Sequence, residues 1–404
     1  MGAGLARRSG EVRATKATPK GANPLEPLLL IPGPTPVPPA VREALAQPLI
    51  GHRGPAFVEL YRRVTRRLKP LFGTEQEVLI FPGSGTGAME AAVVNLFSPG
   101  DRVIVLVAGA FGERFAAIAE AFGLAVDRLE APWGQVVPPE RLRERLLTYP
   151  PGEVRGVFIT HNETSTGALS PLEELVRVAR QESGALVVVD SVSGLGGTPV
   201  AMDRLGIDCV VTASQKCLMS PPGLALLALS PSAWQATERA RLPRSYWDVQ
   251  EARRFGEQGE TPYTPAVSLW FALDRALDLI EAEGLEQVYA RHRRMGAMVR
   301  AGGRALGLEV LAPEAHASPT VTCLLLPEGL DAGAVRRALR ARGVEVAGGQ
   351  GALKSRAIRI AHMGAIQPEH LLQGLLALGE VLRDQGLAVS PEEAVAAAEA
   401  AQAE

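Results

Sequence analysis

An α/β architecture, with a mostly parallel sheet covered by helices on both faces and a small α+β C-terminal domain, is predicted by three observations. The apolar runs Ala185-Leu186-Val187-Val188-Val189 and Cys209 to Ala213 lack any polar alternation, so both faces of these strands need cover. Such runs alternate with amphipathic stretches of helical length between residues 78 and 190. After Leu229 that rhythm stops, and a long helical stretch is followed by shorter mixed elements. The chain has 404 residues, 47% hydrophobic and 21% charged, enough for two domains of an ordinary globular protein. Its net charge of −2 argues against nucleic acid or an anionic membrane as the main partner. No apolar stretch reaches membrane-span length. The three cysteines, Cys209, Cys217 and Cys323, lack the spacing of a metal site, and they imply a reducing, cytoplasmic setting.

In chain order, residues 1–24 hold Arg7, Arg8, Arg13, Lys16 and Lys20 against one acid, Glu11, and have no apolar core of a secretory signal. An arginine-rich start also fits an organellar transit peptide; a disordered tail is the simpler expectation. Residues 25–265 are expected to form a large domain, with 25–55 reaching its ligand site. There Leu28 to Ile31 is an apolar run closed by Pro32-Gly33-Pro34-Thr35-Pro36, a stiff extended loop. Helices are expected near Pro39–Ala46 and Ala56–Leu71. The strand Val78–Phe81 runs into Pro82-Gly83-Ser84-Gly85-Thr86-Gly87, with a helix from Ala88. Further strands are Arg102–Val107, Val126–Leu129, Val154–Thr160, Ala185–Val189, Cys209–Ala213 and Leu224–Leu229, with helices near Glu113–Phe122, Pro138–Leu147 and Pro171–Gln181. Pro243 to Trp247 reads as irregular, and Gly256 to Pro265 as a polar loop. Residues 266–386 are expected to comprise a long linking helix, broken near Gly284, and the small domain. Its strands are Val321–Leu326, Val344–Ala347 and Ala357–Ala361, its helices Ala332–Arg342 and Pro368–Gln385. Ser390-Pro391-Glu392-Glu393 opens a last, alanine-rich helix in residues 387–404, expected to be loosely attached.

Several candidate ligand-binding residues fall at or just after strand ends: Ser84 to Thr86, Phe111, Thr164, Asp190 and Lys216. In a parallel sheet that is the edge where ligands sit. Strand, glycine-rich turn and helix together aim backbone N–H groups and the positive helix end at a phosphate. The turn is not a P-loop, because no Lys-Ser/Thr pair closes it. A lysine between two buried strands is costly unless paired, solvated or covalently used. Taken singly, Lys216 fits a surface turn, Asp190 a cap, Phe111 the core and Arg359 an interdomain ion pair. Taken jointly they share one ligand, pyridoxal 5′-phosphate. The turn would hold its phosphate, Lys216 its aldehyde and Asp190 its pyridine nitrogen, with Phe111 and Val192 against the ring. Arg359 offers a bidentate fork to an amino acid's carboxylate.

These motifs identify the chain as resembling the fold-type I pyridoxal-phosphate enzymes, within them the class V aminotransferases of the alanine/serine–glyoxylate (serine–pyruvate) family. The resemblance spans about Leu28 to Gln385. It rests on Pro32-Gly33-Pro34, Gly83-Ser84-Gly85-Thr86, Glu163-Thr164-Ser165-Thr166-Gly167, Val189-Asp190-Ser191-Val192, Ser214-Gln215-Lys216 and Arg359-Ile360. It implies Lys216 as the Schiff-base lysine and proton carrier, and Asp190 on the pyridine nitrogen. Thr164 would reach the ring's phenolic oxygen, and Ser84, Gly85, Thr86 and Gln215 the phosphate. Thr264 would reach the phosphate of a second subunit, making a homodimer with shared sites. Arg359 would bind the substrate α-carboxylate.

Two positions bear on the branch of the family. Phe111 stands where the glyoxylate enzymes often carry tryptophan. Arg53, in Gly51-His52-Arg53, would either hold a substrate's side-chain carboxylate or bond loop carbonyls. The resulting expectation is transamination between alanine or serine and glyoxylate or pyruvate in two half-reactions. The rivals are an aspartate/2-oxoglutarate enzyme and a non-catalytic subunit of a larger complex. A cysteine desulfurase is disfavoured, since Cys323 lies inside a predicted strand and Cys217 directly follows the lysine.

Overall fold

The computed structural model describes residues 27–402. The tail expected over residues 1–24 lies outside the described residues. The chain runs β1 (Leu28–Leu30), α1 (Pro39–Leu45), α2 (Pro55–Phe72), β2 (Val78–Gly83), α3 (Gly85–Leu96), β3 (Arg102–Val107), α4 (Ala110–Ala121), β4 (Ala125–Glu130), α5 (Pro139–Leu147) and β5 (Val154–Thr160). There follow the short β6 (Asn162–Glu163) and β7 (Ala168–Leu169), α6 (Leu172–Glu182), β8 (Leu186–Asp190), α7 (Met202–Leu205), β9 (Cys209–Ala213), β10 (Gly223–Leu229), α8 (Pro231–Thr237) and α9 (Val249–Gly256). The second part holds α10 (Val267–Glu283), α11 (Leu285–Ala305), β11 (Glu309–Val310), β12 (Val321–Leu325), α12 (Ala332–Ala341), β13 (Val344–Gly348), β14 (Ala357–Ala361), α13 (Pro368–Asp384) and α14 (Pro391–Gln402).

Seven strands form the main sheet in the order β2-β10-β9-β8-β5-β3-β4. Only β10 runs against its neighbours. The carboxyl ends of β2, β3, β5, β8 and β9 therefore share one edge. Successive residues point to opposite faces: Val187 and Val189 of β8 join Leu175, Val176 and Trp270 in one core, while Val188 joins Val93, Phe115 and Phe158 in the other. Both cores are apolar, which explains the unalternating strands.

Helix α2 shows how local signals set an element. Pro55 opens it and Gly73, at φ +65°, closes it, while Phe57, Leu60, Tyr61, Val64, Leu68 and Leu71 recur at three- and four-residue spacing as its buried stripe. Its outer face carries Arg63 and Arg67, which pair with Asp274, Asp278 and Glu281 of α10. Gly284, at φ +85°, breaks the long helix into α10 and α11.

Two expectations need correction. Strand β1, assigned to the large domain, pairs in parallel with β13 and joins the second sheet, β1-β13-β14-β12-β11. A three-residue apolar run carries no signal for which of two sheets it completes. The terminal helix α14 is docked, not loosely attached: it packs along α11 and α13 with Ala394 and Ala398 fully buried. Its apolar stripe is made of alanines, which bury by close approach rather than by size. Pro243 to Trp247 is irregular, as expected, and two short helices not anticipated from the sequence, α8 and α9, flank it. Ser230 caps α8 through Ala233 N at 3.1 Å, and Asp248 caps α9 through Gln250 N at 2.9 Å.

Candidate active site

Part of the main sheet's carboxyl edge meets the second sheet across a cavity of about 340 Å³; Ser84 to Thr86, Asp190, Val192 and Gln215 are not among its lining residues. Lys216, Phe111 and Thr164 line it from the large sheet, Ile31, Pro32 and Gly33 from the N-terminal loop, and Arg336, Gly348, Gln350 and Arg359 are among those lining it from the second domain. Lys216 follows β9 on a turn that leads into β10, and its Nζ donates to the Pro32 carbonyl. Thr35 clasps the same turn, its N–H on Gln215 O at 3.1 Å and its hydroxyl on Lys216 O at 3.0 Å. Gly33, at φ +114°, admits the lysine: a Cβ there would stand 2.8 Å from Lys216 Cδ. Burial lowers the Lys216 amine to about 8, and the Arg359 charge pushes the same way.

Asp190 ends β8, opposite Thr160 of β5 and Val211 of β9. Burial raises its carboxyl to about 7. Among the described residues it accepts one hydrogen bond, from Val192 N at 2.9 Å. Thr164 donates to Ser193 Oγ at 2.6 Å. The Thr164 carbonyl accepts from Arg359 Nη1 at 3.0 Å, while Arg359 Nε donates to Gly348 O at 2.8 Å. Arg359 is thus fixed from both domains, and burial depresses its guanidinium pKa.

Ser84 is the N-cap residue of α3, and its hydroxyl makes no cap bond. The helix begins at Gly85 rather than Ala88, so the glycine-rich segment is itself the helix N-terminus. Gly85 lies against Val192, where a Cβ would come within 2.7 Å of Val192 Cγ2. Likewise α4 begins at Ala110, not Glu113, and places Phe111 in its first turn. The buried Glu163 and Ser165 cap that turn from outside: Glu163 accepts from Phe111 N and Gly112 N, both at 3.1 Å, and Ser165 Oγ accepts from Ala110 N at 2.9 Å.

Two expected site residues lie elsewhere in this chain. Thr264 is exposed and does not line the cavity. Arg53 does not line it either. Its Nη1 pairs with Glu260 at 2.6 Å, its Nη2 donates to Pro262 O at 3.2 Å, and its guanidinium covers the Phe255 ring at 5.0 Å. The contact to Pro262 O is of the loop-carbonyl kind. Residues not anticipated are Glu163, Ser193, Arg114, Arg336 and Gln350. Arg114 was findable, since it falls three residues after Phe111 once the helix start is placed correctly. Arg336 and Gln350 reach the cavity only through the domain packing.

The donor set fits pyridoxal phosphate. Asp190 keeps accepting capacity, as a protonated pyridine nitrogen requires, in a site where the lysine amine is depressed. A helix N-terminus with two hydroxyls suits the phosphate. Among the described residues no cluster of three His, Cys, Asp or Glu side chains suits a metal ion. No described helix is long and apolar enough to cross a membrane.

A strand-end lysine facing a buried carboxylate, with an arginine from a second domain, defines an α/β amino-group-transfer enzyme of fold-type I. The class V aminotransferase family model matches residues 29–365, and the chain belongs to that family; it is an aminotransferase. It is 41% identical to the soluble hydrogenase small subunit of a Synechococcus strain, over 92% of this chain and 97% of that one. It is 38% identical to the L-aspartate–glyoxylate aminotransferase of Paracoccus denitrificans, over 92% and 95%. The solved alanine–glyoxylate aminotransferase of Nostoc superposes with a TM-score of 0.85 at 34% identity, covering 91% of this chain and 98% of that one.

Proposed function

We propose that this chain is a pyridoxal-phosphate aminotransferase that moves an amino group from alanine or serine to glyoxylate or pyruvate, working as a cytoplasmic homodimer. The observation that carries the reading is the meeting of Lys216, Thr164 and Arg359 on one cavity, with Asp190 buried behind it. When bound, the cofactor supplies an electron sink for the substrate α-carbon. Arg359, held at Gly348 O and Thr164 O, presents its remaining N–H groups to the substrate α-carboxylate and so orients the α-carbon. Lys216 Nζ would hold the cofactor, and its free amine would take up the proton lost from the substrate α-carbon. An amine near 8 is a base matched to neutral conditions. Asp190 would accept from the cofactor's pyridine nitrogen and, when ionised, favour its protonated form. Val192 N fixes that carboxylate's orientation.

A small substrate side chain is supported by Arg53, which is spent on Glu260 and Pro262 rather than offered to a second carboxylate. At the cavity, Arg336 directs its Nε to Val346 O at 3.1 Å. The Paracoccus and Nostoc relatives share glyoxylate in their names, which supports it as acceptor. The site keeps its lysine, carboxylate and arginine, none of which a subunit without transamination needs. The three free cysteines are buried, in keeping with a reducing compartment. The test is a panel of amino acids scored by loss of the visible absorbance of the cofactor-loaded protein. Alanine or serine should bleach it fastest. Protein that stays colourless with added cofactor, or that responds to aspartate alone, would sink the reading.

A further inference from the structure

We propose that Arg114 is a phosphate-binding residue of the cofactor site, supplying the cation that the turn at the start of α3 lacks. The assignment rests on the cofactor reading above. Residues Ser84 to Gly87 offer N–H groups and two hydroxyls but no lysine or arginine. A phosphate monoester brings between one and two negative charges at neutral pH, against roughly half a positive charge from a helix N-terminus. Most of that charge needs another partner.

Among the described residues Arg114 is the only lysine or arginine with a side-chain hydrogen bond to this turn, its Nη1 donating to Thr86 Oγ1 at 3.3 Å. It makes no ion pair among the described residues; the neighbouring Glu113 is taken by Arg128 at 2.5 Å. Its guanidinium also lies over the Phe111 ring, 4.8 Å from the centroid. Phe111 and Arg114 leave the same first turn of α4, which Glu163 and Ser165 hold in place through three backbone N–H groups. One clamped turn thus delivers an aromatic face and a free cation side by side. The charge is felt across the site, since it favours ionised Asp190 and disfavours protonated Lys216. Arg114 is exposed, so the core does not depend on it.

The experiment compares pyridoxal phosphate with pyridoxal, which lacks only the phosphate, as ligands of the apoprotein. Wild type, Arg114→Gln and Arg114→Lys are titrated with each, and inorganic phosphate is tested as a competitor. Arg114→Gln should weaken pyridoxal phosphate about tenfold, the scale of one charge-assisted contact, and leave pyridoxal unchanged. Inorganic phosphate should compete less well in that variant, and Arg114→Lys should recover most of the affinity. Unchanged binding of pyridoxal phosphate by Arg114→Gln would overturn the assignment, as would an equal loss for both ligands. Wild type that takes up neither ligand would sink the cofactor reading itself, a result distinct from a failure at Arg114.

Discussion

Lys216 owes its chemistry to burial. An exposed lysine is almost wholly protonated at neutral pH, whereas this amine is pushed down to about 8. The free-amine fraction should therefore rise through pH 8 and level off well below 10.5. The rate of cofactor attachment to apoprotein, followed in the visible against pH, should show that midpoint; a rise continuing beyond pH 10 would refute it. Lys216→Ala should abolish turnover while leaving the far-ultraviolet dichroism intact. The strand-end placing of Lys216 and Asp190, and of Arg359 within a strand, was legible in the sequence, because each is a charged residue on or just after an apolar strand; singly each had a bland reading, and jointly they share one ligand. The placing of Arg53 was not legible. Its partners Glu260 and Pro262 lie more than 200 residues away, and a lone arginine before a helix does not reveal which loop folds over it. The cavity's Arg336 and Gln350 were hidden for the same reason.

At the scale of the element, helix starts were the least legible feature, and they matter most to the site. Both α3 and α4 begin three residues before the expected position. Glycine weakens helical propensity, so Gly85 and Gly87 read as turn although they are helical. The start of α4 is determined from outside, by Glu163, on a segment more than 40 residues later. Glu163→Ala would leave the buried N–H of Gly112 and the part-buried N–H of Phe111 unpaired. It should cost roughly 2 to 4 kcal/mol in urea unfolding, and loosen the ring contact of Phe111. Loss of less than about half a kcal/mol would mean that the clamp is not structural. A second test concerns α14. Ala398 is fully buried in the packing of that helix, and an uncompensated carboxylate there should cost roughly 3 kcal/mol or more. Ala398→Asp should lower the melting temperature by several degrees, whereas an undocked helix would tolerate it.

For the whole molecule, the layered architecture followed from the sequence because periodicity reports burial, and burial is what a covered sheet imposes. The return of β1 to the second sheet did not follow, since pairing between segments more than 300 residues apart leaves no local trace. The pairing has a consequence for the site: the segment from β1 through Pro32 and Thr35 runs from the second domain onto the Lys216 turn. Thr264 raises the remaining question of scale. It is exposed in this chain, on the loop that Arg53 braces through Pro262, and Tyr263 beside it stacks on Tyr246 at 5.4 Å with both rings partly exposed. A braced loop that presents Thr264 away from its own cavity fits service to a second copy. Complementation decides it. Thr264→Ala and Lys216→Ala chains, each weak or inactive alone at limiting cofactor, are unfolded together and refolded as a mixture. If Thr264 serves the partner, the mixed dimer contains one site with both groups intact, and roughly a quarter of wild-type activity returns at equal mixing. If it serves its own chain, every site in the mixture lacks one group, and no activity returns.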